Sequence, residues 1–221
     1  MTSLAVEALL AVLAPPRCAA CDAGVRLLAV FCPSCAQSAA KANPGEGPTS
    51  AALVYGGAVA RAITRMKYEE RPDLARPLGD LLWRALEPQR PLFRGAVVVP
   101  VPLHPSRLAE RGFNQSALLA RRVARHLRAS FAPRALARIR ETQQQVVLDR
   151  AARVANVAGA FEARSVRGST LVHGRLVLLV DDVSTTGATL DACEKALFRA
   201  GALQVHRAVL ASAPQRVEDL G

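Results

Sequence analysis

Lysine is nearly missing from this chain, although the chain is strongly basic. Only Lys41, Lys67 and Lys195 occur, and arginine supplies the rest of 29 basic residues against 18 acidic ones, for a formal charge of +11. Such a charge favours anionic partners, either phosphorylated small molecules or nucleic acid, although part of the arginine excess is open to explanation by genome composition. Aromatic residues make up 4% of the chain, which argues against a surface built mainly of base-stacking platforms. No apolar run approaches the roughly 18 to 20 residues that cross a bilayer, so a soluble chain without a membrane span is expected. Leu4 to Leu13 is apolar, but no basic residue precedes it and Glu7 interrupts it, unlike a signal-peptide core. No G-x-x-x-x-G-K-[ST] occurs, which sets aside a P-loop ATPase, and there is no internal repeat.

Cysteine is scarce too, and its spacing is informative. Of the 5 cysteines, Cys18-x-x-Cys21 and Cys32-x-x-Cys35 form two knuckles, and Cys193 stands alone. Each C-x-x-C brings two thiolates to one tetrahedral metal, and four sulfurs favour Zn²⁺. Four cysteine ligands leave no open position for catalysis, so the zinc is expected to be structural, a clip for a segment too small to fold without one. Disulfides are the competing reading, disfavoured by the cytoplasmic setting that this cysteine usage suggests. A turn at Asp22-Ala23-Gly24 and a strand from Leu27 to Phe31 are expected between the knuckles. Residues 3 to 14 read as a helix ended by Pro15-Pro16. Residues 1–40 thus form a helix and zinc module, 41–50 a Pro/Gly/Ser-rich linker, and 51–221 the main domain.

In that domain, apolar runs alternate with helical periodicity, which predicts an α/β fold with a mostly parallel sheet covered on both faces. The stretch Arg175 to Leu190, RLVLLVDDVSTTGATL, organises the rest. Val177 to Val180 form an unbroken apolar run suited to a strand buried on both faces. Asp181 and Asp182 follow at its carboxyl end, where open α/β sheets bind ligands. The turn Ser184, Thr185, Thr186, Gly187, Ala188 and Thr189 then opens a helix, so its backbone N–H groups, hydroxyls and helix dipole suit a phosphate. The carboxylates suit ribose hydroxyls or Mg²⁺. The competing reading is a buried strand ending in a capped turn. A basic segment, Pro102 to Ser116, leaves another strand end, so its arginines could face the same acids. Arg121, Arg122, Arg125, His126 and Arg128 on the next helix read either as a nucleic-acid face or, with more weight, as a solvated outer face.

The turn resembles the phosphoribosyl pyrophosphate (PRPP) signature of type I phosphoribosyltransferases, with Ser184 at a position that is usually apolar. That resemblance assigns Asp181 and Asp182 to the ribose hydroxyls and the Ser184 to Thr189 turn to the 5′-phosphate, with Mg²⁺ accompanying PRPP. VPVPLHPSRLAERGFNQSALLA is similar to the ComF family of phosphoribosyltransferase-like proteins, which also carry an amino-terminal cysteine zinc motif. The resemblance implies a pyrophosphate-binding role for Arg107 and Arg111, and a mobile loop containing Arg140, Thr142 and Gln145. Gln143 and Gln144 stand where the family has prolines, a departure that bears on how that loop closes. The family is linked to natural competence and DNA uptake. The expected function is therefore PRPP binding and phosphoribosyl transfer to an unspecified acceptor. The alternatives are a non-catalytic accessory protein that binds single-stranded DNA and a DNA-uptake or recombination partner, or a structural zinc adaptor.

Overall fold

Val177, Leu178, Leu179 and Val180 are fully shielded from water because they run through the middle strand of a sheet with a core on each side. The computed structural model describes residues 15–42, 48–141, 156–166 and 169–214. The expected helix over 3–14, and Thr142 and Gln145, lie outside the described residues. In chain order the elements are α1 (Pro33–Ala36), β1 (Thr49–Val54), α2 (Gly57–Tyr68), α3 (Ala75–Leu86), β2 (Val97–Pro100), α4 (Pro105–Arg111), α5 (Gln115–Leu127), β3 (Ser130–Phe131), β4 (Leu136–Arg138), β5 (Phe161–Ala163), β6 (Ser165–Val166), β7 (Ser169–Thr170), β8 (Leu176–Ser184), α6 (Ala188–Arg199) and β9 (Gln204–Ser212).

Five strands pair in the order β1-β9-β8-β2-β3, and every pairing is parallel. The pleat sends alternate side chains of β8 to opposite faces. Leu178 and Val180 join Leu78, Leu82 and Leu86 of α3 and Leu119 and Val123 of α5. Val177 and Leu179 join Leu190, Cys193 and Leu197 of α6 on the other face. Gly79 lets α3 approach α5 closely, since a Cβ there would lie 2.8 Å from the Cβ of Arg122. The antiparallel pair β4–β5 forms a separate arm that packs against α6. The predicted α/β class and parallel sheet are therefore found.

Three local expectations change. Leu27 to Phe31 is not a strand: Leu28 sits at φ 71°, the left-handed region that an extended run cannot contain. The basic segment after β2, expected only to leave a strand end, folds into α4, capped by His104 and ended by Gly112 at φ 77°. The middle strand also runs past the two acids. Pairing of Asp181 with Val209, Val183 with Ala211 and Ser184 with Ser212 carries β8 through Ser184, leaving that residue as the last of the strand rather than the first of the turn.

Candidate functional site

Asp181 and Asp182 sit near the carboxyl end of β8 with 7% and 3% exposure. Two adjacent carboxylates persist at that depth only if other groups supply charge and donors. Asp182 Oδ2 lies 2.5 Å from Lys67 Nζ at the end of α2, and its Oδ1 accepts from Gln115 Nε2 at 3.3 Å. Asp181 Oδ1 accepts from the Ser116 hydroxyl at 2.6 Å and from the Asp182 N–H at 2.9 Å. Burial and then the neighbouring Asp182 charge push the Asp181 carboxyl up to about 7, against the pull of Ser116 and Lys67. Burial alone would lower the Lys67 ammonium, but the facing charge of Asp182 raises it above its usual value. The pair therefore holds a proton with unusual ease for a carboxylate pair, while Lys67 stays charged beside it.

The segment between β2 and α5 delivers these donors. Asn114 caps α5 by accepting from the N–H groups of Ser116 and Ala117, and its Nδ2 donates to the Val101 carbonyl at 3.0 Å. This fixes the first turn of α5 against the exit of β2, so Gln115 and Ser116 meet the acids. Asn114→Ala removes all three bonds, and a loss of about 1–2 kcal/mol is expected in urea unfolding. Arg111 Nη1 donates to Gln115 Oε1 at 2.6 Å, and its guanidinium lies 5.1 Å from the Tyr68 ring centre. Arg111 is thus joined to Asp182 through Gln115. Arg107 is not, since its Nη1 lies 3.0 Å from Glu110 on the same helix. Arg140 donates to the Asn156 and Ala158 carbonyls at 3.0 and 2.7 Å, closing the base of the β4–β5 arm. Beside it, Glu141 accepts from Ser106 at 2.9 Å, which ties that arm to α4.

The threonine turn follows at once. A notch of about 10 Å³ is bordered by Asp181, Ser184, Thr185, Gly187, Ala188 and Thr189, so one acid and most of the predicted phosphate turn share a single concavity. Gly187 takes φ 79° where the chain enters α6, a conformation that favours glycine. Thr186 instead turns its hydroxyl toward the Ala188 N–H, 3.5 Å away, at the start of that helix.

The four cysteines of the two knuckles converge, all sulfurs lying within 4.8 Å of one another. Cys21 and Cys32 sulfurs are 3.7 Å apart, close to the edge of about 3.8 Å for a tetrahedron with Zn–S bonds of about 2.3 Å. The residues fit one metal ion such as zinc. This cluster is braced against α2: Arg65 donates to the Ala19 carbonyl at 3.2 Å and pairs with Asp22, which Arg71 also holds at 3.0 Å. Ser38 accepts from the Ala58 N–H at 3.1 Å near the start of the same helix. Chelating the metal is expected to make four thiols reactive. Cys193, which has no exposure and whose thiol burial pushes well up, should react only on unfolding. Counting thiols that react before and after denaturant checks this.

Lys67, Gln115 and Ser116 are the residues that sequence reasoning missed. Lys67 carried a weak signal, as one of three lysines and set just beyond an apolar helix. Gln115 and Ser116 stand at the end of the basic segment with nothing local to mark them. Of the basic residues on α5, Arg122 and His126 turn inward to Asp80 of α3, at 2.5 and 2.7 Å, while Arg121, Arg125 and Arg128 stay exposed.

Residues 114–220 match the phosphoribosyl transferase domain. The DNA utilization protein YhgH of Escherichia coli K12 is 32% identical over 201 residues, covering 85% of this chain and 86% of that protein. Competence protein F of Haemophilus influenzae is 29% identical over 193 residues, covering 86% of this chain and 82% of that protein. The chain belongs to the ComF family. Among solved structures, glutamine PRPP amidotransferase from B. subtilis, complexed with ADP and GMP, is 24% identical over 66% of this chain, which spans 30% of that protein, with a TM-score of 0.42. A hypoxanthine phosphoribosyltransferase from Staphylococcus aureus is 14% identical over 62% of this chain and 64% of its own, with a TM-score of 0.38. This ComF-family chain carries both a phosphoribosyltransferase domain and an amino-terminal cluster of four cysteines. Among the described residues no helix is long and apolar enough to cross a membrane.

Proposed function

We propose that this chain binds PRPP at the carboxyl end of β8 and transfers its phosphoribosyl group to an acceptor. The observation that carries the reading is the buried Asp181–Asp182 pair, held by Lys67, Gln115 and Ser116 directly before a threonine turn that opens a helix. In this reading the two carboxylates accept from the ribose hydroxyls, and Ser184 to Thr189 bind the 5′-phosphate. Arg111, already aimed at the acids through Gln115, meets the pyrophosphate. Arg107 joins it by leaving Glu110, a surface pairing that holds it only weakly. Arg140, Thr142 and Gln145 belong to the loop that covers the reacting centre.

As the bond from C1 to the pyrophosphate oxygen breaks, C1 gains oxocarbenium character and negative charge grows on the departing pyrophosphate, where arginines stabilise it. A new bond from the acceptor to C1 completes the exchange. Mg²⁺ supplies charge neutralisation of the pyrophosphate when bound with it, and it prefers phosphate and carboxylate oxygens. Asp181, which borders the notch, would be the carboxylate to hold it, since Asp182 is engaged by Lys67. We assign the cysteine cluster a structural zinc that braces α2 and hence Lys67. In this division residues 1–40 form the zinc module, 41–50 the linker and 51–221 the transferase-like domain.

A second reading follows from the charge of +11 and the exposed Arg121 and Arg125. Together with the DNA utilization and competence names of its relatives, these support a protein that binds single-stranded DNA for a partner and uses the pocket as a sensor. Pyrophosphate release from PRPP, screened across nucleobases and amines, separates the two. Release that depends on an acceptor and disappears in the Asp181→Asn/Asp182→Asn variant supports transfer. PRPP binding without release under any acceptor contradicts transfer.

A further inference from the structure

The far edge of the sheet holds a feature that the acid pair does not use. Where β2, β3 and β8 begin, a cavity of about 530 Å³ is bordered by Arg90, Arg94, Arg128 and Arg175, with Phe93 and Ser130 among its other walls. No acidic residue lines it. All four arginines are exposed, and none is paired with a carboxylate among the described residues. Arg175 Nη2 donates to the Gly95 carbonyl at 3.3 Å, which ties its guanidinium to the wall of the cavity.

We propose that this cavity is a second anion site, taking a compact ligand with two or three linked phosphates. Its volume falls in the range of about 300–1,000 Å³ typical of small-molecule sites. A guanidinium offers a planar fork that matches phosphate oxygens two at a time, so four around one concavity suit several phosphates rather than one. Four like charges with no carboxylate between them repel one another, and an anion relieves that repulsion. Two of the backbone donors in its wall are already used: the Ala96 N–H bonds the Phe93 carbonyl at 3.1 Å, and the Ala129 N–H bonds the Ala124 carbonyl at 3.0 Å. Recognition falls chiefly to the arginine side chains. The carboxyl end of α5 also borders the cavity, and its dipole carries about half a negative charge. The Arg128 N–H takes the carbonyls of Ala124 and Arg125 there, and four full positive charges outweigh that half charge.

The site is separate from the acid pair. Arg175 precedes β8 and Asp181 lies near its other end, roughly 20 Å away at about 3.3 Å per residue. A sugar phosphate held at Asp181 does not reach it. Linked phosphates come from two sources, a free polyphosphate such as a nucleoside triphosphate, or neighbouring phosphodiesters of a nucleic-acid strand.

Calorimetric titration of the whole zinc-loaded chain with inorganic tripolyphosphate tests the proposal, at about 50 mM and about 200 mM salt. Saturable binding is expected, weaker at the higher salt. Arg90→Glu/Arg94→Glu should weaken it by about tenfold or more, and the milder Arg94→Gln by about threefold. Arg84→Glu, an exposed charge of α3 outside the cavity, should leave it within about twofold, as should Asp181→Asn/Asp182→Asn. The ligand should also raise the melting temperature of the parent and not of the double arginine variant. Displacement by an oligothymidylate of about ten residues names the strand as the source; retention of tripolyphosphate against it names the free polyphosphate. Absence of saturable binding at the lower salt, equal loss in Arg84→Glu, or loss with the acid pair while Arg90→Glu/Arg94→Glu still binds would overturn the proposal.

Discussion

Replacing Lys67 with methionine is expected to destabilise the fold by about 3 kcal/mol at neutral pH, a large effect for a single lysine. The lysine side chain is 21% exposed and its partner Asp182 is 4% exposed, with 2.5 Å between charge and charge. The substitution keeps the length and apolar stem of the side chain, so packing changes little. It leaves a buried carboxylate facing a second one, with only Gln115 as a donor. Breaking one partner of a buried pair costs about 3–5 kcal/mol, whereas removing both costs far less. Lys67→Met/Asp182→Leu should therefore regain most of the loss. Urea unfolding of the parent, both singles and the double completes the cycle. A Lys67→Met loss below about 1 kcal/mol would show that the pair is solvated and not buried.

The second large effect is on pH dependence. The Asp181 carboxyl sits near 3.8 when unfolded and is pushed up to about 7 in the fold. Between those values the folded chain keeps a proton that the unfolded chain has released, so the unfolded state binds fewer protons and stability falls as pH rises. The loss runs from about pH 4 through about pH 7 and levels off above that, amounting to as much as about 4 kcal/mol. This is opposite in sign to an ordinary salt-bridged aspartate, whose contribution appears as pH rises. Asp181→Asn should flatten the profile and be more stable than the parent at about pH 8, while the two converge near pH 4. Unfolding free energies at about pH 5 and about pH 8 decide the matter. A parent that gains stability relative to Asp181→Asn between those pH values would contradict a buried, proton-holding Asp181.

Both effects trace to contacts that join distant parts of the chain, and this is where the sequence became hard to read. The run Val177 to Val180 was legible because a strand buried on both faces has no polar alternation to confuse it. The cysteine knuckles were legible because metal ligation imposes short fixed spacings. Lys67 was not, since nothing local tells a lysine at a helix end from a surface one, and its partner arrives from β8 far along the chain. Arg107 and Arg111 looked equivalent in sequence and share one face of α4, yet their partners differ: one reaches Glu110 and the other Gln115. The length of β8 was underestimated for a similar reason. Asp181 through Ser184 are polar enough to read as strand exit, and only pairing with β9 holds them extended. Arg122 and His126 looked like an outer basic face until Asp80 of α3 drew them inward.

Calorimetric titration of the zinc-loaded chain with PRPP and Mg²⁺, beside the Asp181→Asn/Asp182→Asn variant, tests the central claim most directly. Asparagine keeps the size of each side chain and removes the charges that accept from ribose hydroxyls, so saturable binding by the parent should weaken by about a hundredfold in the variant. Equal affinity in the two proteins, or no saturable binding by the parent, would contradict the assignment of the acid pair and the threonine turn to this ligand.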